Sequence, residues 1–69
     1  MLNAKEIGNI IFNRRRALGL TQVALANKLF VSERTIQRWE AGKSLPSPDN
    51  IRIILHELEL SVEELIIND

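Results

Sequence analysis

The residues best placed for chemistry lie mid-chain, in Glu33-Arg34-Thr35-Ile36-Gln37-Arg38-Trp39-Glu40. Read as a helix, this stretch puts Ile36 and Trp39 on one face at i, i+3, so Glu33, Arg34, Gln37 and Arg38 point outward. Arg34 and Arg38 are four apart, which makes two like charges neighbours and costs an isolated helix about 0.2–0.5 kcal/mol. An anionic partner turns that cost into affinity. Double-stranded DNA offers phosphates and, in guanine, an O6/N7 edge that the planar fork of arginine fits. The same pattern is also what an ordinary solvated helix face presents.

Other reactive side chains do not assemble into a centre. His56 is the only histidine and there are no cysteines, so no zinc-ligand set exists. His56 also lacks a nucleophile partner and reads as surface or core edge. The acids fall at helix starts or on solvated faces, where caps and the helix macrodipole account for them. Trp39 shares the Ile36 face and reads as a core anchor, not as a base stacker. The expectation is a protein without catalytic residues, metal or cofactor. Arg14, Arg15 and Arg16 are spread by 100° per residue, so at most two of them face one partner.

Five short helices have to position these residues. Asn3 with Glu6 three residues on has the form of a capping box, and Ile7, Ile10, Ile11 and Leu18 follow near one face. Gly19 is placed to stop this first helix in a left-handed conformation. Thr21 caps a second helix running to about Leu29. Ser32 caps a third, with Val31 and Ile36 spaced as a hydrophobic staple, and Gly42 ends it. Ser47-Pro48 is a cap followed by proline at the first helical position, and Ile51, Ile54, Leu55 and Leu58 form the stripe of helix four. Ser61-Val62-Glu63-Glu64 is a further capping box, with Leu60 and Leu65 as its staple. The fold class is therefore all-α, a compact bundle of about five helices forming one domain over residues 1–69. Only Phe30 to Ser32 separate helices two and three, and so short a connection forces the sharp crossing of a helix-turn-helix, at about residues 21–40.

Composition bounds the partners. The 69 residues include no cysteine and are 45% apolar. A chain of this length buries roughly 60% of its unfolded surface, so helix packing alone must stabilise it. No apolar run approaches the ~18 residues of a membrane span, and the N-terminus lacks the plan of a secretory signal. These features predict a cytoplasmic protein with no membrane partner. The net charge is zero, but residues 1–43 carry eight bases against three acids, and residues 44–69 one base against six acids. A sign split of this kind hints at a local positive face that attracts a polyanion. Two ordinarily solvated halves have the same signature.

The stretch Leu20-Thr21-Gln22, Leu25-Ala26-Asn27-Lys28-Leu29 and Val31 through Lys43 resembles the helix-turn-helix of the phage repressor/Cro (XRE-type) family. The similarity runs from Ile7-Gly8 to Ser61-Val62-Glu63-Glu64-Leu65. The resemblance implies a bundle of about five helices whose third helix lies in the major groove. Base-reading positions then fall on Ser32, Glu33, Arg34, Gln37 and Arg38. Gln22 matches the family glutamine that touches phosphate and braces the recognition helix, and Lys43 and Ser44 match the loop phosphate contacts. Thr35 is also assigned to phosphate. The family's internal ion pair falls on Arg15 and Glu40, which leaves Arg14 or Arg16 as phosphate contacts. Three positions depart from the family pattern. Phe30 stands where glycine is usual in the turn, Arg14 where an aliphatic residue is common, and Glu59 where glycine is usual before Leu60. A left-handed backbone is costly for a bulky residue. The expectation at Phe30 is therefore either a turn of different shape or a ring that covers an apolar gap.

The function implied is a sequence-specific transcriptional regulator, a repressor, binding double-stranded DNA as a homodimer. Leu60, Val62, Ile66 and Ile67 are the candidate dimer interface, because they are more apolar than the end of a small monomer requires. The alternative is an antitoxin-like or accessory module of the same fold whose partner is another protein. Salt-dependent binding to random duplex DNA discriminates the two.

Overall fold

The structure is a computed structural model and describes residues 3–65. The helices are α1 (Ala4–Ala17), α2 (Gln22–Leu29), α3 (Glu33–Glu40), α4 (Pro48–Glu57) and α5 (Val62–Leu65). Four N-termini are closed by the residues whose types predict it. Asn3 Oδ1 accepts from the Glu6 N–H at 2.8 Å, and Glu6 Oε1 accepts in return from the Asn3 N–H at 3.1 Å, a full capping box. Thr21, Ser32 and Ser47 each accept from the backbone N–H three residues on. Each such cap is worth about 1 kcal/mol. Ahead of α5 the box is half-formed: Glu64 Oε2 accepts from the Ser61 N–H at 2.8 Å, and the Ser61 hydroxyl donates to the same carboxylate.

The C-termini follow one scheme. After α1, α2, α3 and α4 a left-handed residue is followed by an N–H that reaches back to a carbonyl five residues earlier: Leu20 to Arg15, Val31 to Ala26, Lys43 to Arg38 and Leu60 to Leu55, at 2.9–3.0 Å. This is the Schellman closure, which satisfies carbonyls that the helix leaves orphaned. The left-handed residues are Gly19 and Gly42, but also Phe30 and Glu59, each at φ 56°.

The core lies where α1 and α2 pack on α3 and α4 packs on α2. Ile11, Leu25, Leu29, Ile36, Ile54 and Leu58 are fully buried, and Trp39 seals the core beside Ile36. Leu18, expected on the inward face of the first helix, is instead 36% exposed, because it is the cap residue where α1 turns away. Gly8 sits at the closest approach of α1 to α3: a Cβ there would stand 2.2 Å from the Trp39 carbonyl oxygen. Among the described residues no helix is long and apolar enough to cross a membrane.

Candidate nucleic-acid interface

The α2–α3 junction is Phe30 to Ser32. Phe30 adopts the left-handed conformation (φ 56°, ψ 40°), so the turn has the shape that glycine ordinarily gives it. The ring covers nothing: Phe30 is 91% exposed. Both expectations for this residue are thereby overturned. The Schellman bond from the Val31 N–H holds the turn whatever the side chain, and the cost is left in the backbone.

With Ile36 and Trp39 anchored in the core, Glu33, Arg34, Gln37 and Arg38 are exposed on the outer face of α3. Arg34, Gln37, Arg38, Ala41 and Lys43 line a shallow concavity of about 220 Å³. None of the three cations forms an ion pair among the described residues. Ser32 has a second task as the N-cap of α3, and its hydroxyl lies 3.0 Å from that of Thr35. A base or phosphate contact by either residue must share these oxygens. Lys43 is exposed and Ser44 half-buried in the segment after α3.

A buried network holds this face in place. Arg15 Nε donates to Glu40 Oε2 at 2.6 Å, Nη2 donates to Oε1 at 3.0 Å, and Nη1 donates to the Leu20 carbonyl at 2.9 Å. Gln22 Nε2 donates to Glu40 Oε1 at 3.0 Å. The side chains of Arg15 and Glu40 are 10% and 5% exposed. The fork-on-carboxylate geometry is the strong, directional form of an ion pair, and it links the end of α1, the start of α2 and the end of α3.

The family profile HTH_3, described as helix-turn-helix, matches residues 11–65. The chain belongs to the HTH_3 helix-turn-helix family. Over 60 residues it is 34% identical to the cryptic phage CTXphi transcriptional repressor RstR of Vibrio cholerae, a match covering 87% of this chain and 54% of RstR. Over 52 residues it is 35% identical to the HTH-type transcriptional activator BcrR of Enterococcus faecalis, covering 75% of this chain and 26% of BcrR. The chain thus spans about half the length of one relative and a quarter of the other. Among solved structures, the clp gene regulator ClgR from C. glutamicum superposes with a TM-score of 0.84 at 25% identity, covering 94% of this chain and 83% of ClgR. The restriction-modification controller protein C.AhdI from Aeromonas hydrophila gives 0.82 at 25% identity, covering 91% and 96%.

Within this HTH_3 domain two sequence-based assignments need correction. Arg14 is not a free phosphate donor: its guanidinium donates to the Leu58 and Glu59 carbonyls at 3.3 and 3.0 Å and to Glu64 at 3.1 Å. It closes the end of α4 and ties α1 to α5. Leu60, a candidate dimer contact, is 8% exposed and belongs to the core, because the Schellman bond after α4 turns it inward. Val62 is half-exposed, whereas Ile66 and Ile67 lie outside the described residues. Arg16 is exposed, with its guanidinium 5.4 Å from the centroid of the Phe12 ring; the Arg15 guanidinium lies at the same distance from that ring. Sequence reasoning missed the roles of Phe12 and Gly8. For Gly8 a signal existed, since a glycine inside a helical pattern often marks close packing.

Proposed function

We propose that this chain is a sequence-specific transcriptional regulator, a cytoplasmic repressor that binds double-stranded DNA as a homodimer and reads the major groove with α3. The observation that carries this reading is the set of cations on the α3 face, Arg34, Arg38 and Lys43, flanked by Gln37, that form no ion pair among the described residues. Arg34, Gln37 and Arg38, with Ser32 and Glu33, are assigned to base edges. Lys43, Ser44, Thr35 and Gln22 are assigned to phosphates. In this reading the Arg15–Glu40–Gln22 network acts indirectly, by fixing the end of α3 against the start of α2 so that both meet the backbone in register. The match to the repressor RstR, over more of both chains than the match to the activator BcrR, supports repression. A domain this small gains affinity and specificity from two copies on half-sites one helical turn apart.

The test begins with selection of preferred sites from a random duplex pool. On the selected site Arg34→Ala is expected to cost about 1–3 kcal/mol and to relax preference at one base pair, a guanine. Lys43→Ala is expected to weaken all duplexes alike and to flatten the salt slope by about one unit. Arg34→Ala binding the selected site as tightly as wild type at equal salt removes the assignment.

A further inference from the structure

Phe30 bears two costs with no return among the described residues. Its backbone is left-handed, a conformation that is a genuine outlier for a bulky residue, and its ring is 91% exposed. Glycine or asparagine would make the same turn more cheaply. Among the described residues Glu59 is the other non-glycine residue in this conformation; its side chain is polar and its carbonyl accepts from Arg14, so it exposes no aromatic surface. A scattered exposed apolar side chain needs no explanation by itself. An aromatic ring that is both strained at its backbone and without an intramolecular contact surface is different, because such strain tends to persist at functional sites.

Its position suggests the function. Phe30 is two residues before Ser32, the N-cap of α3, so their Cα atoms are at most about 7 Å apart. Whatever receives the start of α3 lies within range of the ring. In the major groove the one apolar feature of a base edge is the C5-methyl of thymine, which phenylalanine contacts favourably.

We infer that Phe30 is a specificity-determining residue whose ring packs on the methyl group of one thymine beside the base pairs met by the start of α3. The inference rests on the DNA-reading function proposed above. It adds a large apolar contact to a set of assigned DNA-contacting side chains that are otherwise charged, amide and hydroxyl groups, and it predicts a thymine at a fixed offset from the guanine read by Arg34.

The experiment measures binding of wild type, Phe30→Gly and Phe30→Asn to the selected operator at one salt concentration. Thymines are replaced one at a time by deoxyuridine, which deletes only the methyl. Wild type is expected to lose about four-fold in affinity at one position, the value of burying one methyl-sized group. Both variants are expected to bind the all-thymine site more weakly and to be indifferent to that replacement. Both residues tolerate the left-handed turn, so thermal melts at or above that of wild type will show that the fold is intact. Wild type indifferent to every replacement, or variants that keep the sensitivity, overturns the inference. The ring would then serve another surface, such as a protein docked on the outer face of α2, where Val23 is also half-exposed. Failure of the DNA-reading function is a different result, the absence of any salt-dependent duplex binding by wild type, and it removes both.

Discussion

Glu40 accepts three hydrogen bonds, two from Arg15 and one from Gln22, while almost entirely removed from water. Its charge is tolerated only because those donors replace the lost hydration. Removing one member of a buried pair leaves the other uncompensated, which costs about 3–5 kcal/mol. Glu40→Ala is therefore expected to lower the stability of the domain by that amount in a thermal or denaturant melt, and replacing Arg15 and Glu40 together by apolar residues of similar size to cost less. A Glu40→Ala melt that matches wild type would falsify this. The pairing of Arg15 with Glu40 was legible in the sequence through family resemblance alone, because no local spacing relates residues 25 apart. The same limit explains Arg14. Its partners lie 44–50 residues away, and helical geometry alone could not separate it from Arg16 as a cation available to DNA.

Helix boundaries were legible for the opposite reason, since caps are short-range chemistry and Asn3, Thr21, Ser32 and Ser47 each bond within three residues. What sequence could not supply was that the C-terminal closure persists where glycine is missing. The hydrogen bond into the preceding turn holds the backbone left-handed, and the strain stays in the backbone of Phe30 and Glu59. Gly19 and Glu59 isolate that cost. A Cβ on Gly19 would meet nothing within 4 Å, so Gly19→Ala is expected to destabilise by roughly 1–2 kcal/mol from conformation alone. Glu59→Gly is expected to gain about 0.5–1 kcal/mol after the entropy of the unfolded chain is counted, or roughly 2–8 °C in Tm. Equal melts for all three proteins would show that the left-handed residues are unstrained. The attachment of α5 is a separate device with a pH signature. The Glu64 carboxyl is held below its ordinary value of 4.5, first by the hydrogen bond from the Ser61 backbone N–H; desolvation opposes this, and the Ser61 hydroxyl and the nearby Arg14 charge add smaller lowering effects. A depressed carboxyl adds stability above its unfolded pKa and loses it as pH falls through the folded value. The stability advantage of wild type over Glu64→Gln is expected to be full at neutral pH and to vanish as pH falls below 4.5 and through the lowered folded value. An advantage constant across that range would remove the ion from the account.

At the scale of the molecule the charge split becomes an arrangement. The basic part of the sequence builds α1 to α3 and the acidic part builds α4 and α5. Arg14–Glu64 joins α1 to α5, and Lys28–Glu57, at 3.7 Å, joins α2 to α4. These two acids thus pair with cations away from the α3 face, and the cations of that face form no ion pair among the described residues, which under the proposed function leaves them for a polyanion despite a net charge of zero. In the proposed reading, acidity in α4 and α5 keeps those helices off DNA and leaves them as the surface through which two copies meet. With Leu60 and Leu65 buried in the core, the large apolar side chain of α4 and α5 that stands exposed among the described residues is Val62, 51% exposed, while Ile51, Ile53 and Leu55 are partly buried. Sedimentation at several concentrations is expected to give a dimer for wild type and a shift to monomer for Val62→Asp. Ile67→Asp probes the neighbouring positions outside the described residues. Because a two-fold dimer presents its two α3 helices to one side of the duplex, the selected operator is expected to be palindromic with half-site centres about 34–36 Å apart. Loss of the dimer should weaken binding to the full palindrome far more than binding to an isolated half-site, since only the palindrome engages both copies. A wild type that stays monomeric on its selected site rules out the dimer, and with it the palindrome: the operator would then hold one half-site, and the cations of a single α3 face would have to supply all of its affinity.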